Sequence, residues 1–166
     1  MNLSIYLFIA LGISMIITIA IALFYVVPYV KSKPLGTALV MLLWPNTIRF
    51  ISLSTYSAVE FGSVKASLAE VNQIVIGDTL SAILAFIAIL AIKFQKKWAI
   101  AFTWVAVIIG SADFLVALGQ SLMSNLPGNV SGFSWVLFVF VIPPLIISEI
   151  LLIQQLRSRK GEKLYE

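Results

Sequence analysis

The chain of 166 residues is 61% hydrophobic and 11% charged, with a mean hydropathy of +1.06 and a formal net charge of +4. Soluble domains carry about 25% charged residues, so water is not the main solvent of this chain. It has no histidine and no cysteine, which excludes zinc sites, histidine-ligated haem, disulfides, thiol nucleophiles and histidine acid–base schemes; no cofactor and no metal site is expected.

A helix needs about 20 mainly apolar residues to cross ~30 Å of hydrocarbon, and five segments qualify: residues 3–29, 36–57, 70–92, 98–120 and 133–155. The first has no basic n-region and exceeds the ~7–15 residues of a signal h-region, so it reads as a retained helix. In the second, the half RFISLSTYSAVEFG is polar enough for a surface or re-entrant segment. Short basic loops stay in the cytoplasm. Lys31 and Lys33 follow the first span, Lys93, Lys96 and Lys97 the third, and Arg157, Arg159, Lys160 and Lys163 the fifth. Lys65 alone follows the second, and residues 121–132 carry no charge. Five crossings put every basic segment on one side. The expected fold is therefore an all-α bundle of five transmembrane helices in one domain over 1–166, amino terminus outside and carboxyl terminus cytoplasmic, multi-pass in the cell membrane. The basic residues then serve topology and headgroup contact, so membrane lipids and no nucleic acid are the expected partners. Trp98, Trp135, Tyr25, Tyr29 and Tyr56 fall near helix ends, where aromatic rings commonly sit.

Ionisable residues inside spans usually face the bundle interior and pair. Arg49, Asp78 and Asp113 stand out. At ~1.5 Å per residue, Arg49 lies roughly 12 Å below Ser57, Asp78 roughly 12 Å below Glu70, and Asp113 roughly 10 Å below Gln120. One cation and two carboxylates are thus expected at about the same level, in the outer half of the membrane. Residues three and four apart share a helix face: Asn46, Arg49, Ser52 and Tyr56 on the second span, Gly77, Asp78 and Ser81 on the third, Gly110, Asp113, Ala117 and Gln120 on the fourth. Gly77, Ser81 and Gly110 are small enough to let helices approach. Spans two to four are expected to surround a polar pocket open toward the outer face, with Arg49, Asp78, Asp113, Asn46, Ser52, Ser81 and Gln120 as ligand- or proton-binding residues.

Arg49 is always protonated, and one aspartate neutralises it. The second leaves one negative charge over, to be met by a proton, a cation or polar ligand group, or a bridging Arg49. Two other readings stay open: the cluster as glue between helices, and an Arg49 that snorkels outward and meets neither aspartate. Pro143 and Pro144 break the fifth span midway, Pro45 bends the second, and Glu149 is expected to snorkel or pair with a cytoplasmic lysine. Trp44 and Trp104 are expected in the core. Glu60 and Glu70, with Lys65, are exposed rim charges or an acidic mouth. There is no phosphate loop, nucleophile elbow or carboxylate–histidine set.

LWPNTIRF, GDTLSAILAFIAILAI and GSADFLVAL, spread over residues 42–120, together resemble small uncharacterised bacterial multi-pass membrane proteins. That resemblance shares the positions of Arg49, Asp78 and Asp113 and implies no activity. The leading expectation is binding or transport of a small molecule, lipid or proton at the Arg/Asp/Asp cluster, with oligomerisation plausible at this size. A non-catalytic structural or accessory subunit is the alternative, and an intramembrane lipid-modifying enzyme using an aspartate the third.

Overall fold

Prolines decide where the apolar segments depart from regular helix. In the computed structural model, which describes residues 3–62, 64–123 and 133–164, the first segment is α1 (Leu3–Ile21), a π turn (Ala22–Val26) and α2 (Val27–Lys31). Pro28 in the first turn of α2 has no N–H for the carbonyl one turn earlier and crowds it; the widened turn absorbs that mismatch. The second segment is α3 (Leu35–Thr47), a 3-10 turn (Ile48–Leu53) and α4 (Ser54–Glu60), with Pro45 inside the last turn of α3. Its polar half stays helical, so Leu35–Glu60 is one continuous helical stretch. α5 (Leu68–Lys93) and α6 (Ala99–Met123) are unbroken, and the fifth segment is α7 (Phe133–Phe140) and α8 (Ile142–Ser158). Pro143 and Pro144 occupy the first turn of α8, where a missing N–H costs least, and the chain breaks just before them. Five stretches, Ile5–Lys31, Leu35–Glu60, Leu68–Lys93, Ala99–Gln120 and Ser134–Ser158, are long and apolar enough to cross a membrane. Of the uncharged segment 121–132, residues 124–132 lie outside the described ones.

α3 packs on α5 and α8, α6 packs on the same two helices, and α1 lies against α7 and α8. The tightest part of the bundle is at one end. There Leu35, Leu39 and Leu43 of α3 meet Ala85, Ala88 and Ala91 of α5, with Ala99 of α6 and Leu152 of α8. Alanines at helical spacing let the α5 backbone approach its neighbours closely, which is how helices gain packing energy where lipid removes the hydrophobic drive. The buried positions 35, 38, 39, 42, 43 and 46 of α3 form one face. Trp44 lies off that face and is 63% exposed, so it faces outward and is not core; Trp104 does pack against the core.

The tail closes this end. Leu164 O accepts from Gly36 N–H at 3.1 Å. Arg159 donates to Lys33 O at 3.0 Å and pairs with Glu162, whose carboxylate also takes the N–H of Leu35. The hydrogen bonds from Arg159, with its charge, hold the Glu162 carboxyl below its usual pKa. A depressed carboxylate stabilises above its unfolded pKa and loses that contribution as pH falls through the folded value. Hydrogen-exchange protection of the Leu35 and Gly36 amides is therefore expected at neutral pH and lost in acid. In Glu162→Gln it is expected to be low throughout; equal protection in variant and wild type would remove the clamp.

Candidate functional site

The 3-10 turn sets the site. With three residues per turn, side chains at i and i+3 eclipse, so Asn46, Arg49 and Ser52 stack along one buried face. The repeat continues to Thr55, which joins Arg49 and Ser52 on a cavity wall. The expected fourth member, Tyr56, instead donates to Asn72 Oδ1 at 2.7 Å. A regular helix would have kept Tyr56 on the stripe; the tighter turn moves the stripe back one residue.

Arg49 is 2% exposed, which rules out snorkelling. Its Nε–H donates to Asn46 Oδ1 at 3.2 Å, Nη1 to Gly110 O at 3.2 Å and Asp113 Oδ2 at 3.3 Å, and Nη2 to Glu149 Oε1 at 3.2 Å. Asp78 Oδ1 lies 3.7 Å from Nη1, close enough to pair in charge but beyond hydrogen-bond length. Both Nη1 hydrogens are already taken, so Asp78 is the loosely held carboxylate. Its side chain is also the most exposed of the three, at 26%.

Glu149 corrects the sequence reading. It does not snorkel to a lysine; it is buried, holds Arg49, and accepts from Ser111 Oγ at 3.1 Å. α8 runs on to Ser158, which puts Glu149 about 14 Å from the helix end and out of reach of the surface. Four spans, not three, therefore supply the cluster. Fully ionised, Asp78, Asp113 and Glu149 outnumber Arg49 by two charges. Ser148 extends the network: its hydroxyl accepts from Asn46 Nδ2 at 3.2 Å and donates to Leu145 O at 2.8 Å.

Two glycines make room for carboxylates. A Cβ on Gly77 would sit 1.7 Å from Asp113 Oδ1, and one on Gly110 would sit 2.6 Å from Glu149 Oε1. Their small size serves the ion cluster directly, more than helix approach in general. The other expected members fall outside it. Ser81 lies one turn from Asp78 on the tightly packed side, buried and with no partner for its hydroxyl. Gln120 stands two turns past Asp113, about 10 Å further along α6. Glu60 and Lys65 are exposed, while Glu70 is spent on a capping box with Ser67 at the start of α5.

On one side of the cluster, Leu43, Ala85, Ala106, Val107 and Leu152 leave no room for a water molecule. On the other side a cavity of about 280 Å³ opens toward the α4–α5 connection. Leu7, Leu11 and Met15 of α1, Val71 and Ile74 of α5, Phe114 of α6 and Leu137 and Phe138 of α7 form its apolar wall. Arg49, Ser52 and Asp78 are at its polar end. The Ser52 hydroxyl stands beside Asp78 without completing a hydrogen bond. Among the described residues no group of carboxylates is arranged to hold a metal ion; the guanidinium fills the space the carboxylates share. A family model described as "Domain of unknown function (DUF8737)" matches residues 6–157. No curated protein and no solved structure matches the chain.

Proposed function

The chain belongs to this DUF8737 family, and from its geometry we propose that it is an integral membrane protein that binds a small amphiphile or lipid in the cavity ending at Asp78. The observation that carries the reading is the join between an apolar chamber and an incompletely paired carboxylate. Ligand pockets combine a mainly apolar lining with a few placed polar groups, and ionisable residues in spans mark functional sites by default. Catalysis has less support, because the wall brings no second acid, base or nucleophile to Asp78 beyond the hydroxyls of Ser52, Thr55 and Ser134.

A structural role is favoured for part of the cluster. Asp113 and Glu149 are hydrogen-bonded to Arg49 and each is seated against a glycine, which is how a fixed clamp between α6, α8 and the 3-10 turn would be built. The division of labour is then clear: Asp113 and Glu149 hold Arg49, and Asp78 faces the ligand.

Native mass spectrometry of gently solubilised protein tests the binding. Wild type is expected to retain a species that Leu11→Trp, which fills the cavity, loses while keeping its melting temperature. Equal retention by both would reject the cavity as the binding place.

The proposed orientation places the amino terminus outside and the cavity mouth toward the outer face, supported by the grouping of Lys/Arg in alternate connections. The natural absence of cysteine makes the test direct. A single Lys65→Cys is expected to react with an impermeant maleimide in intact cells, and Lys96→Cys only after permeabilisation. The reverse pattern would invert the topology.

A further inference from the structure

The polar end of the cavity selects for charge. Four of the five Arg49 N–H groups point to Asn46, Gly110, Asp113 and Glu149, so an entering group meets chiefly the Asp78 carboxylate and the unpartnered Ser52 hydroxyl. The charged groups around Asp78 are Arg49 on the 3-10 turn and Asp113 on α6, with Glu149 on α8 across the guanidinium. Their sum is negative when all are ionised. An anionic head would be repelled by that surplus. A neutral alcohol would leave it uncompensated in a low-dielectric setting, where unpaired charge is most costly. A monocation offsets one of the two surplus charges. The apolar chamber behind it, lined by Leu7, Leu11, Met15 and Phe114, accepts a chain.

Resting on the cavity reading above, we propose that the ligand is a single-chain amphiphile with a protonated amine head, bound to Asp78 and Ser52. One ammonium N–H donates to the carboxylate and a second to Ser52 Oγ. The closed packing beyond the cluster stops the head at this level.

The test uses the full chain in nanodiscs of zwitterionic phosphatidylcholine, with empty nanodiscs as background and radiolabelled decylamine, decan-1-ol and decanoate as probes. Decylamine, protonated at neutral pH, is expected to bind saturably above background. Its affinity is expected to fall as the pH is lowered, because protons compete with the ammonium for the Asp78 carboxylate. Asp78→Asn is expected to weaken it at least tenfold, while Asp78→Glu retains it. Because Asp78→Asn keeps the shape and removes only charge, and Leu11→Trp keeps the charge and removes only space, a folding defect in one does not obscure the other. Binding of decan-1-ol or decanoate as tight as that of decylamine, lost in Leu11→Trp, would overturn the amine assignment and leave the cavity reading intact. No saturable binding of any of the three would overturn both.

Discussion

Arg49→Met is expected to leave little folded protein. The substitution keeps much of the apolar stem but removes the one cation that three carboxylates face, and it strands Asn46 Oδ1 and Gly110 O without their donors. Breaking a buried ion pair from one side costs about 3–5 kcal/mol, against a total stability of about 5–15 kcal/mol for a typical domain. The loss is expected as a collapse of the thermal transition, followed by tryptophan fluorescence in mild detergent. Neutralising the partners is expected to recover part of it: Arg49→Met with Asp78→Asn, Asp113→Asn and Glu149→Gln removes the stranded charge, and buried pairs replaced as a set are often close to neutral. Asp78→Asn alone is expected to cost little, because Asp78 accepts no hydrogen bond from Arg49. If Arg49→Met melts within a few degrees of wild type, the cluster does not hold the helices together and the division between clamp and ligand carboxylate fails.

The contrast between Arg49 and Glu149 shows what a sequence of this kind exposes. Arg49, Asp78 and Asp113 were legible because charge inside an apolar span is rare, and helical rise converts residue offsets into depth. Their meeting follows from two periodicities and a length. Glu149 failed on the third of these: with the fifth span ended at residue 155 it lies roughly 9 Å from the inner end, whereas α8 runs three residues further. A second signal was present. Leu145, Leu152 and Leu156 share its helix face at spacings of three and four, and all are buried, so the stripe carries Glu149 inward whatever the depth. The substitution of Thr55 for Tyr56 had a different origin. Pro45 announces an irregularity, but not whether the chain bends, widens or tightens after it, and only the tight turn eclipses positions 46, 49, 52 and 55. The cavity was beyond reach for the same reason: it depends on α1 and α7 lying side by side, a contact between segments that carry no distinguishing charge.

Gly77→Ala is the second large effect, because one methyl group would stand where a carboxylate oxygen now is. The 1.7 Å separation from Asp113 Oδ1 leaves no tolerable contact, so either α5 and α6 part or Asp113 turns away from Arg49. Overpacking costs about 1–3 kcal/mol, and losing Asp113 from the pair adds to it. The two costs share one cause, so they are not additive. In an Asp113→Ala background the oxygen is gone and Gly77→Ala is expected to cost less than about 1 kcal/mol, a coupling within the range seen for residues in contact. Gly110→Ala is milder in comparison, since the 2.6 Å contact is with the end of the longer Glu149 side chain, which can withdraw while Ser111 still reaches it. A double-mutant cycle on melting free energies, Gly77→Ala against Asp113→Ala, measures this. Simple additivity would mean that Gly77 matters for helix approach alone, and that the carboxylate seat is incidental to how the bundle holds its charge.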